Sequence, residues 1–405
     1  MKIPFSPPYI DDDIKREVVE TLESGWITTG PKVKALEDLV CEQLKVEKTL
    51  CCNSATSGMM LCLHWFGVKQ GDEVIIPAYT YAATALVVMH LGATPVMIDV
   101  GSDFNIDIKK IRSKITARTK AIIPVDIAGW PCDYKELQAL VNDPNVVKLF
   151  RPEHDHQKQL GRIMLLSDAA HSLGADYHKE PMGKWADFTV FSFHAVKNVT
   201  TAEGGAICIS LPKPFDNQAV YKMLRLWSLN GQTKDAFNKT QSGGWRYDIV
   251  YPGFKINMPD ICAAIGLAQL RKYYDLILPE RKRVFVSYTK LLSKFPWVEM
   301  PPEETSEKSS SRHLFALRIK SITEEQRDKI IDAITAQGVS VNVHFQPLPL
   351  LTIFRERGYS ISDFPHAFDN YSREISLPVY PELDERKIRY IVDAIVTAYE
   401  SVIHG

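Results

Sequence analysis

Six short apolar runs alternate with helical stretches between about residues 46 and 210, and this alternation constrains the fold more than any other feature. The runs are continuously apolar, which is typical of strands buried on both faces. Strands that alternate with helices need crossover connections, which place them parallel in one sheet. The sequence therefore predicts an α/β fold with a mostly parallel sheet. The predicted strands are residues 72–77, 94–100, 120–127, 162–170, 187–193 and 205–211.

The length of the chain, 405 residues, is too great for one small core and favours two domains. We predict a large domain over residues 1–260, with the N-terminal segment, and a second unit over residues 261–405. The second unit holds a bridging helix and a small C-terminal α/β domain. Its predicted elements are a helical pattern from about 258, a turn at 301–311, strands at 313–319 and 339–345, and helices near 323–337 and 384–402.

Composition and charge disfavour several classes of protein. Apolar residues make up 45% and charged residues 24% of the chain, as in ordinary globular proteins. The formal net charge of −1 gives no electrostatic reason to expect nucleic acid or an anionic membrane as partner. No run of about 18 apolar residues occurs, and the acidic N-terminus does not resemble a signal peptide. The seven cysteines lack metal-ligand or redox spacing, which favours reduced thiols and a cytoplasmic location.

Two polar segments interrupt the pattern. Residues 149–162 carry His154 and His156, but no third ligand lies beside them, so we expect a solvated surface excursion and no metal. Residues 230–248 form a long polar loop with glycines, and loops of that length are usually functional or disordered.

An acidic and a basic residue follow two of the predicted strands. Asp168 follows the apolar run of one strand, and Lys197 lies one crossover later, just past the next strand. Open α/β sheets bind ligands beyond the carboxyl ends of their strands, so both side chains can reach one site. A buried carboxylate needs an arginine, backbone amides or a cationic ligand as partner. A desolvated lysine can serve as a Schiff-base amine, whereas an ordinary one reaches water with its tip.

Three further segments lie at the same predicted edge of the sheet. In residues 52–63, small and hydroxyl side chains precede an apolar helical run, so this helix N-terminus either binds phosphate or is simply capped. Residues 77–84 place aromatic rings at a strand end, where they stack on a flat ligand or pack in the core. Gly204 and Gly205 permit a tight turn after the lysine.

An amine, a carboxylate, a phosphate-binding helix and a stacking ring together match the needs of pyridoxal 5′-phosphate (PLP). PLP needs a lysine for its aldehyde, an acid that keeps its pyridine nitrogen protonated, and anion contacts for its phosphate. The displaced lysine then serves as general base for the proton shift. No single feature is specific, but their order on separate strand ends favours a PLP enzyme.

Blocks along nearly the whole chain resemble the DegT family of sugar-nucleotide aminotransferases, which are fold-type-I PLP enzymes. The resemblance implies a large domain with a mostly parallel seven-stranded sheet and a smaller C-terminal α/β domain. "SGWITTGP", "SFHAVKN" and "AEGG" are similar to the branch that makes 4-amino-4-deoxy-L-arabinose on UDP. The blocks are "SGWITTGPKV" (24–33), "GDEVIIPAYTY" (71–81), "LGATPVMIDV" (91–100), "SDAAHSLGA" (167–175), "FSFHAVKN" (191–198), "TAEGGAI" (201–207) and "PGFKINMPDICAAIGLAQL" (252–270).

The resemblance also implies residue roles. Lys197 would be the catalytic Schiff-base lysine, and Asp168 the partner of the pyridinium nitrogen. A homodimer with shared active sites follows, because one implied phosphate contact comes from the neighbouring subunit. The other implied cofactor contacts are His171 near the ring oxygen, Ala55, Thr56 and Ser192 on the phosphate, Tyr81 rather than Tyr79 on the ring, and Asn257 on the neighbouring subunit's phosphate. Thr28, Thr29 and His344 are expected to border the sugar.

The implied reaction moves the amino group of L-glutamate to a keto-sugar nucleotide by ping-pong chemistry, for cell-surface polysaccharide or lipopolysaccharide sugars. A UDP-linked 4-keto sugar is the favoured substrate, and a dTDP-linked 3- or 4-keto sugar is the alternative. A PLP-dependent sugar dehydratase would carry histidine in place of Lys197, and a non-catalytic relative would lack Lys197 or Asp168. Both readings are therefore disfavoured.

The sequence departs from the family pattern at one position of interest. Asp126 stands where many relatives have a histidine, and we expect this position near the sugar. The diphosphate of a sugar nucleotide would require cationic partners. The candidates are Lys32, Arg246, Lys255 and Arg312.

Overall fold

A seven-stranded sheet forms the centre of the computed structural model, which describes residues 1–233 and 247–404. The strands of this half of the chain are β1 (Lys48–Cys52), β2 (Glu73–Pro77), β3 (Thr94–Ile98), β4 (Thr119–Ile122), β5 (Met164–Asp168), β6 (Asp176–Tyr177), β7 (Glu180–Pro181), β8 (Phe188–Ser192) and β9 (Gly205–Ile209). The order in the sheet is β1-β9-β8-β5-β4-β2-β3. Only β9 runs antiparallel to its neighbours among these seven, which confirms the mostly parallel sheet.

All six predicted strands are present, and each is shorter than predicted. The strand predicted at 120–127 ends at Ile122, since Pro124 has no N–H to donate to a neighbouring strand. β1 was not predicted, because it opens with the polar pair Lys48 and Thr49 and its apolar run is correspondingly short. Most of the polar loop predicted at 230–248, residues 234–246, lies outside the described residues.

Helices connect the strands, and the helix Ala55–Trp65 packs on β5, β8 and β9. The other α-helices in this part are Asp12–Glu23, Pro31–Leu44, Ala83–His90, Ile108–Ile111, Tyr134–Val141, Pro144–Leu149, Asp155–Leu160 and Asn217–Ser228. Further along the chain they are Asp260–Arg271, Leu278–Leu292, Glu324–Ala336, Thr352–Arg355, Pro365–Arg373 and Glu385–Ile403. A π-helical turn, Tyr273–Ile277, joins the first two of these.

The C-terminal part contains a small antiparallel sheet. Its strands are β10 (Val298–Glu299), β12 (Phe315–Ile319) and β13 (Glu374–Leu377), while β11 (Lys308–Ser309) pairs with β6. The strand predicted at 339–345 is wrong, because this segment forms only isolated bridges, at Val339 and Asn342. Its neighbour in space is β13, a strand that the sequence did not indicate.

Two hydrophobic clusters divide the buried residues. The larger surrounds the seven-stranded sheet and still includes Ile277 and, from far along the chain, Phe354. The smaller begins at Val284 and adds Ile3 from the N-terminal segment. The chain therefore passes from the larger cluster to the smaller one within the helical region after residue 277. The predicted domain boundary at 260/261 stays a prediction.

The excursion at 149–162 lies on the surface with most of its residues exposed, as expected, but two of its side chains anchor it to the helix Ala55–Trp65. The ring of His156 stacks on the fully buried Trp65 with centroids 4.1 Å apart, and its Nδ1 contacts the Trp65 carbonyl at 2.7 Å. Gln157 is buried and donates to the carbonyl of Phe66 at 2.9 Å. The segment thus covers the C-terminal end of helix Ala55–Trp65. Within the described ranges no group of three potential metal ligands occurs, and no helix has the length and apolarity that a membrane crossing requires.

Candidate active site

Lys197 and Asp168 line one cavity of about 470 Å³ at the carboxyl ends of β5 and β8. Asp168 is the last residue of β5, and Lys197 lies in the turn after β8, where its N–H donates to the carbonyl of His194 at 2.9 Å. Burial lowers the pKa of Lys197 to about 8, although the charge of Asp168 acts in the opposite direction. A fraction of this amine is therefore neutral near pH 7, as a nucleophile or general base requires.

Asp168 is held by two hydrogen bonds in a buried position. The hydroxyl of Thr84 donates to Oδ2 at 2.8 Å, and the N–H of Ala170 donates to Oδ1 at 3.2 Å. Burial raises the pKa of Asp168, whereas these donors and Lys197 lower it. Thr84 in turn shares a hydroxyl contact with Thr80 at 2.9 Å. A carboxylate has lone pairs beyond these two bonds, so it can also accept from a protonated ring nitrogen.

A helix N-terminus forms a second wall of the cavity. Ser54 caps helix Ala55–Trp65 by accepting from the N–H of Ser57 at 3.1 Å, which leaves the amides of Ala55 and Thr56 at the cavity. Ser192 lines the same wall. Free amides and the helix dipole at such a terminus suit a phosphate group.

Gly205 allows this wall to form. A Cβ on Gly205 would lie 2.6 Å from the amide nitrogen of Ala55 and 2.9 Å from the carbonyl oxygen of Phe191. These contacts are shorter than any side chain tolerates, so only glycine lets β9 approach the start of the helix. The turn residue Gly204 is similarly enclosed by Thr201.

The two candidate tyrosines have different positions. Tyr81 lines the cavity, is 63% exposed and has its ring centroid 5.8 Å from that of Phe345. Tyr79 is fully buried, and its hydroxyl donates to the carbonyl of His344 at 2.7 Å. Tyr81 is thus available to stack on a ligand, and Tyr79 belongs to the core.

His171 is a hydrogen-bond donor to the cavity. Its Nδ1 accepts the N–H of Ala128 at 3.2 Å, which leaves the proton of the neutral ring on Nε2. Burial and the charge of Lys197 hold the pKa of His171 well below its usual range, so the ring stays neutral. His313, which sequence reasoning missed, also lines the cavity, with its ring centroid 4.4 Å from that of His171.

His344 lines the cavity from the C-terminal part of the chain. Its Nδ1 contacts the hydroxyl of Ser376 at 2.9 Å, and its backbone N–H donates to Glu374 at 3.0 Å. Burial and Lys197 lower the pKa of His344 to about 3. Phe5, in the N-terminal segment, stacks on the ring with centroids 5.4 Å apart. Phe5 and its neighbour Ser6 also line the cavity, and no local sequence signal indicated them.

Thr28, Thr29 and Asn257 do not line the cavity of their own chain. Thr29 is buried and donates to the carbonyl of Met258 at 2.6 Å, and the amide of Asn257 donates to Thr29 at 2.6 Å. These residues form one group beside the capped helix, because the N–H of Asn53 bonds the carbonyl of Ile256. A role for them in a site requires contact with another chain.

Asp126 corrects an expectation. Its carboxylate is fully buried and accepts from Tyr134 at 2.9 Å and from Ser172 at 2.7 Å, so it does not face the cavity. Burial raises its pKa to about 6. It occupies the packed layer behind the cavity, and the expectation of a place near the sugar was wrong.

Two of the four cationic candidates have other partners. Arg312 is buried and donates to Glu303 at 3.1 Å, and Lys32 pairs with Glu17. Lys255 is exposed and does not line the cavity, and Arg246 lies outside the described residues. A diphosphate partner is therefore not identified by these residues.

The residues present fit PLP. The cavity offers an amine on Lys197, a buried carboxylate on Asp168, a helix N-terminus at Ala55 and an exposed ring on Tyr81. The close approach at Gly205 opens the amides of the helix to a small anion. When bound, PLP supplies an electron sink for carbanion chemistry.

Comparisons with known proteins agree with this site. The model of the DegT/DnrJ/EryC1/StrS aminotransferase family matches residues 8–151 and 153–396. The spore coat polysaccharide biosynthesis protein SpsC of Bacillus subtilis is 32% identical over 401 residues, which is 97% of this chain and 96% of that protein.

Several solved structures share the fold of this chain over nearly its whole length. The putative sugar aminotransferase Spr1654 of Streptococcus pneumoniae has a PMP-form structure with a TM-score of 0.95 and 43% identity, covering 99% of this chain and all of that one. Its PLP form has a TM-score of 0.94 and 41% identity, with both chains fully covered. Helicobacter pylori PseC, an aminotransferase of pseudoaminic acid biosynthesis, has a TM-score of 0.86 and 27% identity over 99% of this chain and all of that one. The chain therefore belongs to the DegT/DnrJ/EryC1/StrS family and is a PLP-dependent sugar aminotransferase.

Proposed function

We propose that this enzyme transfers the amino group of L-glutamate to a UDP-linked 4-keto sugar, for the synthesis of cell-surface polysaccharide. The observation that carries the proposal is the position of Lys197, with its lowered pKa, in one cavity with Asp168 and the N-terminus of helix Ala55–Trp65. The names of SpsC and PseC, which place those proteins in polysaccharide and pseudoaminic acid biosynthesis, support a nucleotide-sugar substrate.

The residues of the cavity have separate roles in holding the cofactor and the substrate. Lys197 would hold the cofactor, and its amine, once free, would take the proton from the α-carbon of the donor. Asp168, which accepts a hydrogen bond from Thr84, would hold the ring nitrogen protonated. Ala55, Thr56 and Ser192 bind the phosphate, Tyr81 covers one face of the ring, and His171 donates from Nε2 to the ring oxygen. His344 borders the sugar.

We propose that the active form is a homodimer with shared sites. Thr28, Thr29 and Asn257 lie outside their own cavity, and this supports a role in the cavity of a second chain. The exposed apolar side chains of Ile249 and Val250, which are 52% and 55% exposed, support a buried position in an assembly. The seven free cysteines favour the reducing cytoplasm as its location.

The first test follows the absorption spectrum of the PLP-loaded protein. Bound PLP should give a visible band that bleaches when L-glutamate is added, and the Lys197→Ala variant should lack this band. Lys34→Ala, which removes an exposed lysine on another face, is the matched control. A band that ignores glutamate refutes the donor, and a band that persists in Lys197→Ala refutes the role of the lysine.

The second test concerns the sugar. The glutamate-reacted enzyme is mixed with UDP-linked 4-keto, dTDP-linked 4-keto and dTDP-linked 3-keto sugars, and return of the visible band reports amino transfer. The proposal expects the fastest return with the UDP-linked sugar. A preference for either dTDP-linked sugar contradicts it and selects the alternative substrate.

The shared site is tested by mixing two inactive variants. Lys197→Ala subunits retain Asn257, and Asn257→Ala subunits retain Lys197. A mixed dimer would contain one complete site, so mixing after subunit exchange should restore activity. A mixture as inactive as its parts, despite mixed dimers being detected by mass spectrometry, refutes the sharing.

A further inference from the structure

A buried glutamate lies behind His344 and belongs to no site described so far. Glu374 opens β13 and is completely buried. Its Oε1 accepts the hydroxyl of Ser376 at 2.5 Å, and its Oε2 accepts the backbone N–H of His344 at 3.0 Å. The same Ser376 hydroxyl meets Nδ1 of His344 at 2.9 Å. Glu374, Ser376 and His344 therefore form a continuous hydrogen-bonded chain that ends at the cavity.

The Ser376 hydroxyl has one proton, so it can donate either to Glu374 or to His344, but not to both at once. If Glu374 is ionised, its carboxylate can only accept, so the hydroxyl donates to it and accepts from Nδ1–H of His344. Nε2 then carries a lone pair. If Glu374 is protonated at Oε1, it donates to the hydroxyl, which donates to Nδ1, and the ring proton moves to Nε2. Oε1 is the favoured site for this proton, because Oε2 is the stronger acceptor for the N–H of His344 when it stays unprotonated.

The ring of His344 lines the cavity, and its Nδ1 is engaged by Ser376. Among the described residues, Nε2 has no hydrogen-bond partner, while the ring lines the cavity. Phe5 stacks on the ring, and Phe345 meets it edge-on with centroids 5.0 Å apart and an interplanar angle of 82°. The ring is thus fixed in direction, and only the location of its proton remains variable.

We propose that Glu374, acting through the hydroxyl of Ser376, decides which ring nitrogen of His344 carries the proton, and so whether Nε2 accepts from or donates to an oxygen of the sugar. Glu374 and Ser376 are positioning residues, and His344 makes the contact. The identity of the contacted sugar rests on the proposed function, whereas the location of the ring proton does not.

The surroundings of Glu374 favour a change in its ionisation near neutral pH. Burial raises the pKa of Glu374 to about 8, although Arg318 and Arg327 act in the opposite direction. Tyr79 also faces Glu374 and stays neutral, because burial holds its pKa well above the usual range. On the cavity side, His171 and His313 have pKa values well below the usual range and stay neutral. Lys197 is the remaining titrating neighbour, with a pKa lowered to about 8, so its effect must be separated from that of Glu374.

The test is a pH series of long-range ¹H–¹⁵N spectra of the PLP-loaded enzyme with ¹⁵N-labelled histidine. The signals of His344 are assigned by their loss in His344→Asn. Below about pH 8 the protonated nitrogen should be Nε2, and above it Nδ1, following the ionisation of Glu374. A wild-type ring whose protonated nitrogen stays the same from pH 6.5 to 9.5 overturns the proposal.

Two variants identify the group responsible. Glu374→Gln presents a permanent donor to Ser376, so Nε2 should keep the proton at every pH, and Ser376→Ala should remove the pH dependence by breaking the chain. Ser372→Ala is the matched control, since its buried hydroxyl bonds only the carbonyl of Asp369 and the wild-type change should persist. A change that persists in Glu374→Gln arises from a group other than Glu374 and refutes the proposal. The visible PLP band verifies that each variant is folded.

A kinetic readout completes the test. In Glu374→Gln, KM for the keto-sugar nucleotide should lose its change across pH 7 to 9, while the rate of the glutamate half-reaction keeps the wild-type profile. An equal loss in both half-reactions would mean a merely structural role. Failure of every sugar to react would refute the proposed function and leave the spectroscopic result intact.

Discussion

The most direct prediction concerns the amine of Lys197 in the cofactor-free protein. Burial lowers its pKa to about 8. At pH 7 roughly a tenth of the amine is then neutral, whereas an unburied lysine with a pKa of about 10.4 is neutral in only ~0.04% of molecules. The neutral fraction of Lys197 is thus larger by a factor of roughly 250. The pH dependence of a reaction that consumes the neutral amine should therefore report the lowered pKa.

The assay is reductive methylation of the cofactor-free protein over a pH series, with each lysine quantified by mass spectrometry. The rate at Lys197 should reach half its maximum near pH 8. In Asp168→Asn this midpoint should move to lower pH, because the negative charge of Asp168 favours the ammonium form. Lysines on the surface of the same sample are internal standards for the reagent. A midpoint above about pH 10, or an upward shift in Asp168→Asn, would refute the reasoning.

Two further predictions concern the supports of the site. Thr84→Val removes a hydrogen bond to a carboxylate, so the unfolding free energy in urea should fall by about 1.5–3 kcal/mol. The control, Thr189→Val, removes a buried hydroxyl without a partner among the described residues and should leave the unfolding free energy unchanged or raise it. Equal losses in the two variants would contradict the assigned bond to Asp168. Gly205→Ala forces a Cβ to within 2.6 Å of the amide nitrogen of Ala55, so Kd for PLP should rise by about tenfold or more, for a distortion of about 1–3 kcal/mol. An unchanged Kd in a fluorescence titration would show that the helix N-terminus does not bind the phosphate.

The parts of the site that the sequence could predict are those with local signals. Asp168 ends one apolar strand, Lys197 lies in the turn after another, and the hydroxyl residues near Ala55 precede an apolar helix. The order of such elements indicates a parallel sheet, and a parallel sheet brings its carboxyl ends together. Fold and cofactor site therefore follow from short stretches of sequence taken in order.

The remaining parts depend on contacts between distant segments. His313 and Phe5 reach the cavity only because the C-terminal part and the N-terminal segment fold back onto the sheet. Asp126 has the same residue type as Asp168 and also follows a strand, but Tyr134 and Ser172 enclose it. Such a difference in burial has no local signal, because it is made by side chains that are distant in sequence.

The N-terminal segment has a practical consequence for handling the enzyme. The N–H of Ile3 bonds the carbonyl of Gly338 in the small sheet's domain at 2.8 Å, while Phe5 and Ser6, two and three residues later, form part of the cavity wall. An affinity tag or fusion partner placed at residue 1 would pull on a segment that lines the cavity. The helix Glu385–Ile403 contributes no residue to the cavity. Attachment after it is therefore the better choice for immobilisation, labelling or display of an active enzyme.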